Sequence, residues 1–216
     1  RLSEMILISE AMQEKKITHI ADSIAEGYNS GIRIVLISGP SSSGKTSFTN
    51  RLKTQLRTCF LQPKMISIDN YFLDRELTPR KPSGEYDFEA LEAIDLKLFN
   101  SDISRLLNGE EVSLPKFDFT SGKRVYKGET MKLAPGDILL LEGIHALNPQ
   151  LLTEVDETAL YRVYVSCLTA LGLDPVNRIA TTDNRLLRRI IRDHRYRGYS
   201  AVDTIHNWDS VRAGEE

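Results

Sequence analysis

Two uninterrupted apolar runs, Ile34-Val-Leu-Ile37 and Ile138-Leu-Leu-Leu141, stand out from the mixed pattern around them. Runs of that length suit strands buried on both faces of a parallel sheet. Apolar residues recur at helical spacing from Ser3 to Tyr28 (Met5, Ile8, Met12, then Ile17, Ile20, Ile24), which predicts an amphipathic helix. A second helix is expected from about Lys45 to Thr58. Pro63 then breaks the chain and Lys64 to Asp69 form a short strand. Thr78 to Asp87 are rich in proline, glycine and charge and predict a loop, and a helical stretch from Glu89 to Leu107 closes at Asn108-Gly109. Alternation over Val112 to Phe119, a turn at Ser121-Gly122, then Arg124 to Lys127 and Glu129 to Leu133 predict a β-hairpin excursion. The strand at 138–141 is followed by another from Ala159 to Val165 and by a basic helix from about Asn184 to Arg195. Strands alternating with helices predict an α/β fold: a doubly wound parallel sheet with helices on both faces and the ligand at the carboxyl ends of the strands.

The loop after the first apolar run carries the chemistry. Gly39-Pro-Ser-Ser-Ser-Gly44-Lys45-Thr46 has the glycine and lysine spacing of a phosphate loop, with a strand before it and a helix after it. Such a loop turns backbone N–H groups toward phosphate oxygens at the positive end of a helix. Gly39, Ser41, Ser42, Ser43, Gly44, Lys45, Thr46 and Ser47 are therefore the candidate nucleotide-binding residues, with Lys45 as a point charge and the Thr46 hydroxyl for Mg²⁺. Asp69 and Glu142 each end an apolar strand on the same side of the sheet. Phosphoryl transfer needs one carboxylate for the metal and one to orient or deprotonate the attacking hydroxyl, although either residue could simply cap the element that follows it. The metal candidates are Thr46, Glu142 and Asp69. Arg185, Arg188, Arg189 and Arg192 share one helix face, with Leu186, Leu187, Ile190 and Ile191 on the other. That pattern fits an arginine lid over the phosphates or a solvated charged face, and periodicity does not separate the two.

Composition narrows the class. The 216 residues are 41% hydrophobic, enough for one α/β domain, and the net charge of −2 gives no global field for nucleic acid or an anionic membrane surface. No secretory signal or bilayer-length apolar run is present, so a cytoplasmic location is expected, with no nucleic-acid or membrane partner. The only cysteines, Cys59 and Cys167, suggest two buried thiols in a reducing compartment. The chain starts at Arg1 without an initiator Met and stops at Gly214-Glu-Glu216, as a fragment of a longer polypeptide would. Residues 1–30 are expected to be a helix or linker from a preceding domain, and 31–216 a phosphate-loop domain cut at its C-terminus, with the lid at about 170–200. Association of identical copies stays open.

Several segments together resemble the uridine kinase and phosphoribulokinase family of P-loop kinases: Gly39 to Thr46, Ser67-Ile-Asp-Asn-Tyr-Phe72, Tyr86-Asp87-Phe88, Pro115-Lys-Phe-Asp-Phe119, Leu140-Leu-Glu-Gly143 and Arg188-Arg-Ile-Ile-Arg-Asp193. The resemblance spans about Ile32 to Arg212. The N-terminal helix and Trp208-Asp-Ser-Val-Arg-Ala-Gly-Glu215 resemble a bacterial branch in which the kinase domain follows threonyl-tRNA-synthetase-like domains. The resemblance implies ATP and Mg²⁺, with Asp69 as the catalytic carboxylate and Lys45, Arg189 and Arg192 stabilising charge. It places Arg188 on ATP. It also implies acceptor contacts from Asp69, Tyr71, Asp87 (on the ribose hydroxyls), Phe117, Phe119, Arg189, Arg192 and the further lid residue Arg197. The chain departs from the family where the acceptor is recognised. A tyrosine and a histidine of uridine kinases fall at Phe117 and Gly122, a lid arginine falls at Tyr199, and a His-Pro-Asp after the ribose aspartate is replaced by Phe88-Glu-Ala-Leu. Hydrogen-bond discrimination of the base must then come from elsewhere.

Three functions follow: a nucleoside kinase, a related kinase for a phosphorylated sugar or pantothenate, or a catalytically weak ATP-binding regulatory module. No Asn-Lys-x-Asp motif supports a GTPase.

Overall fold

A computed structural model describes residues 2–82, 84, 86–167, 179–196 and 198–213. At its centre lie four parallel strands, β1 (Ile34–Ser38), β2 (Gln62–Ser67), β7 (Asp137–Glu142) and β8 (Leu160–Tyr164), in the order β2-β7-β1-β8. Every residue of β1 and β7 is buried, as their unbroken apolar runs require. Alternate side chains feed two cores. Val35, Ile37, Ile138 and Leu140 pack under α1 (Leu2–Asn29) and α2 (Lys45–Thr58), whereas Ile34, Leu36, Leu139 and Leu141 face Phe99, Ile103 and Leu106 of α3 (Leu96–Leu107). Helices therefore cover both faces of the sheet.

Between α3 and β7 the chain makes two nested antiparallel ladders. The outer pairs β3 (Val112–Ser113) with β6 (Thr130–Met131), and the inner pairs β4 (Lys116–Asp118) with β5 (Lys123–Val125). The chain continues after β8 into α4 (Thr181–Tyr196), α5 (Ala201–His206) and α6 (Trp208–Ala213). Among the described residues no helix is long and apolar enough to cross a membrane.

Several local expectations change. Pro63 does not break the chain before a strand but lies within β2, which its position at the sheet edge permits because one side of the strand needs no partner. The helix expected from Glu89 starts only at Leu96, because Asp95 caps it by accepting from the Leu98 N–H at 3.1 Å. In α1, Ile17 and Ile24 are buried, but Met5, Ile8 and Met12 stay exposed beyond the reach of the sheet. Cys59 and Cys167 are half-buried rather than buried.

Tyr71, expected at the acceptor, belongs to the core. It ends a 3₁₀ turn over Ile68–Tyr71, is fully buried, meets Phe99 edge-on at 5.0 Å between ring centroids, and donates its hydroxyl to the buried Asp102 at 3.1 Å. Burial pushes the Asp102 carboxyl up, and the Tyr71 hydrogen bond opposes that shift. Tyr71→Phe leaves a buried carboxylate short of a donor, so a loss of about 1–3 kcal/mol in denaturant unfolding is expected. The KM for ATP and for acceptor should stay at the wild-type value; a raised acceptor KM with unchanged stability would return Tyr71 to the site.

Candidate active site

The phosphate loop leaves the carboxyl end of β1 and enters α2 through backbone that few residues adopt. Ser42 has φ 62° and Gly44 φ 103°, both left-handed. A Cβ on Gly44 would also stand 3.2 Å from Arg188 Nη2, so glycine serves conformation and space together. Lys45 Nζ donates to the carbonyls of Gly39 at 2.7 Å and Pro40 at 3.2 Å, which holds the ammonium across the loop. Among the described residues, Ser42 Oγ and Ser43 Oγ are buried without a hydrogen-bond partner. Two orphan hydroxyls in a loop of this glycine and lysine spacing fit phosphate oxygens.

Across the sheet, Thr46 Oγ1 lies 3.3 Å from both oxygens of Glu142, the last residue of β7. Parallel pairing sets this meeting, since β7 runs beside β1 with Glu142 opposite Ile37. Asp69, in the 3₁₀ turn after β2, approaches the same corner because Ser67 pairs with Glu142. Burial is the main influence on Glu142 and pushes its carboxyl above the ordinary range; Asp69 adds to that, and Lys45 and Thr46 pull it back. Among the described residues no three or more His, Cys, Asp or Glu side chains are grouped so that they could hold a metal ion by themselves. One hydroxyl and two carboxylates fit Mg²⁺ of the kind that is completed by water and substrate phosphates.

Helix α4 turns Arg185, Arg189 and Arg192 toward the phosphate loop, whereas Arg188 and Arg195 are exposed. Arg185 is buried, donates through Nε to the Ser41 carbonyl at 3.1 Å and stacks over Trp208 of α6 at 5.2 Å from the ring centroid. Arg189 Nη1 donates to Ser41 Oγ at 2.7 Å. The buried Asp193 fixes the others, lying 3.3 Å from Arg189 Nε and accepting from Arg192 Nε at 2.9 Å and Nη2 at 2.7 Å. Leu187 and Ile191 consequently face solvent. The arrangement is that of a cationic cover clamped to the phosphate loop.

A cavity of about 1010 Å³ runs from this loop to the β4-β5 turn. Of the residues expected to act, Ser41, Ser42, Gly44, Lys45, Thr46, Ser47, Asp69, Glu142, Arg188, Arg189, Arg192, Phe117 and Phe119 all border it. Gly39 and Ser43 stand within the loop behind that wall. Tyr71 does not border it, for the packing reason given above. Asp87 sits between two lining residues, Tyr86 and Phe88, but is off the wall itself: its Oδ1 lies 3.9 Å from Lys81 Nζ and accepts from the Glu89 N–H at 3.3 Å. Arg197 and much of the segment expected as the lid lie outside the described residues.

Phe72, Arg75 and Arg80 line the aromatic end; Phe72 closes the Ser67–Phe72 motif without being among the expected site residues, and no motif points to Arg75 or Arg80. Phe72 meets Phe117 edge-on at 5.6 Å and Phe119 at 6.5 Å. Its position next to Tyr71 was the available signal, because consecutive residues of a tight turn point to different sides.

The parallel sheet, the loop at the end of β1 and the acidic corner facing it define a P-loop nucleotide-binding protein. Residues 34–214 match the model of the "Phosphoribulokinase / Uridine kinase family", and the chain belongs to that family, which makes it a kinase. It is 28% identical over 178 residues to a uridine kinase of Staphylococcus haemolyticus, spanning 82% of this chain and 76% of the relative. A uridine kinase of Chlamydia pneumoniae is 32% identical over 172 residues, 80% and 68% of the two chains. The fold is shared with a possible uridine kinase from Bacillus stearothermophilus, at a TM-score of 0.52 and 20% identity over 67% of this chain and 78% of that one. It is also shared with a putative fructose transport system kinase from Silicibacter, at a TM-score of 0.58 and 16% identity over 90% and 93%.

The Glu142 shift has a signed consequence. Its native pKa lies above the unfolded one, so the native state binds more protons between the two. The associated stability is present below the ordinary glutamate range and is lost as pH rises through the raised native value. Glu142→Gln, neutral throughout, should therefore gain stability relative to wild type as pH rises from about 4. Denaturant unfolding without nucleotide or Mg²⁺ reads the difference, and a difference flat with pH would contradict the burial argument.

Proposed function

We propose that the protein transfers the γ-phosphoryl group of ATP to the 5′-hydroxyl of a nucleoside of the uridine or cytidine type, in the cytoplasm. The observation that carries this reading is the shape of the cavity. A phosphate loop and two carboxylates stand at one end, and a wall of edge-packed aromatic rings suited to a planar base stands at the other.

Asp69 takes the proton of the 5′-hydroxyl as that oxygen bonds to the γ-phosphorus, and the bond from phosphorus to the β–γ bridging oxygen breaks to release ADP. Lys45, Arg188, Arg189 and Arg192 hold the phosphates in line and offset charge on the transferring group. Thr46 and Glu142, with Asp69 nearby, would hold Mg²⁺, which screens the phosphate oxygens. Asp87 is assigned to the ribose hydroxyls, a role that requires its carboxylate to turn from Lys81 and the Glu89 N–H into the cavity. The uridine kinases among the relatives support a nucleoside acceptor. A second reading, an acceptor such as a phosphorylated sugar, draws support from Arg75 and Arg80 at the aromatic end.

The test is ATP consumption with Mg²⁺ over a panel of nucleosides and phosphorylated sugars. Turnover on nucleosides is expected. Asp69→Asn should cost about 10²–10⁴-fold in turnover at near-normal ATP affinity; turnover at the wild-type rate would remove Asp69 from the mechanism. Asp87→Ala should raise the nucleoside KM about tenfold or more with little change for ATP, and an effect on ATP alone would refute its ribose role.

A further inference from the structure

The aromatic end of the cavity is short of hydrogen-bond donors. Phe72, Phe88, Phe117 and Phe119 offer none. Arg80 is engaged elsewhere: it donates to the Gly84 carbonyl at 2.7 Å and the Tyr86 hydroxyl at 2.8 Å, and its guanidinium lies 4.2 Å over the Tyr86 ring.

Arg75 is placed differently. Its backbone N–H donates to the Gly122 carbonyl at 2.8 Å, and its Nη2 donates to the Phe119 carbonyl at 3.3 Å, so the β4-β5 turn grips both ends of the residue. Gly122 makes room for it. The residue is buried with φ 69°, and a Cβ there would stand 2.7 Å from Arg75 Nε and 2.8 Å from Cζ. The guanidinium thus fills the volume that a side chain at 122 would claim. It carries five N–H donors and no acceptor, and one of the five is committed to the turn.

We propose that Arg75 is a specificity-determining residue that reads the edge of the acceptor's base and favours a carbonyl over an amino group there. The inference rests on the nucleoside reading above. A permanently charged donor beside apolar rings gains a hydrogen bond from a keto base such as uracil or hypoxanthine. It opposes the amino group of cytosine or adenine, which also donates. The edge-packed Phe rings accept either base by apolar contact and carry no donor, so the discrimination falls to the charged group beside them.

The experiment compares kcat/KM for uridine against cytidine and for inosine against adenosine, with one phosphorylated sugar included, in wild type, Arg75→Met, Arg75→Lys and Gly122→Ala. Wild type should prefer both keto nucleosides. Arg75→Met should cut the keto/amino ratio on the order of tenfold to a hundredfold, through the keto KM, with the ATP KM unchanged. Arg75→Lys should keep part of the ratio, since it keeps a charged donor. Gly122→Ala should lower the ratio with Arg75 still present, because the new Cβ displaces the guanidinium. An unchanged ratio in Arg75→Met, or an equal loss for every nucleoside, overturns the proposal and makes Arg75 a clasp for the turn. Turnover on the phosphorylated sugar alone overturns the nucleoside reading itself. Should turnover be too slow to measure, calorimetric affinities of the same nucleosides with a nonhydrolysable ATP analogue give the same ratio, and its change or constancy in Arg75→Met decides between the two roles.

Discussion

The constraint on which the site depends is the parallel pairing of β1 with β7, which stations the phosphate loop and Glu142 at the same end of the sheet. Both strands are buried on both faces, so neither can slip without moving a whole core layer. That rigidity fixes where Thr46 and Glu142 meet and where the loop opens. It also lets the loop hold Ser42 in a left-handed conformation, because the strand behind it and the helix ahead of it leave the turn no relaxed alternative.

A second layer is electrostatic. Arg185 and Arg189 of α4 converge on Ser41, with Arg192 on the same helix face, and their mutual repulsion would be costly without a counter-charge. Asp193 provides it for Arg189 and Arg192 from a nearly buried position, and Trp208 offers Arg185 a ring face. The helix can then turn its cations inward and leave Leu187 and Ile191 in solvent, an orientation that reverses ordinary amphipathic packing. Phosphate binding accounts for tolerating this arrangement.

The sequence made the sheet, the loop and the acidic corner legible because each is local. An apolar run, a glycine spacing and a carboxylate at a strand end are all written within a few residues. What it hid was decided by packing. Tyr71 and Phe72 are adjacent and both aromatic, and only the pitch of the 3₁₀ turn sends one to Asp102 and the other to the cavity. The arginine stripe of α4 had two interpretations, and only folding brings Arg189 to Ser41 beside the phosphate loop. Pro63 marks a break in most contexts, and β2 accommodates it only through its place at the edge of the sheet.

The same division separates the two ends of the cavity. Groups that touch phosphate come from strand ends and from the starts and faces of helices, where geometry is shared with any protein of this sheet order. The residues at the aromatic end come from loops and short ladders. There Arg75 and Gly122, far apart in the chain, meet only after folding. Loops on a rigid scaffold can exchange such pairs without disturbing the sheet. A motif can therefore identify the phosphate loop, whereas the contact between Arg75 and Gly122 is one that no linear spacing records.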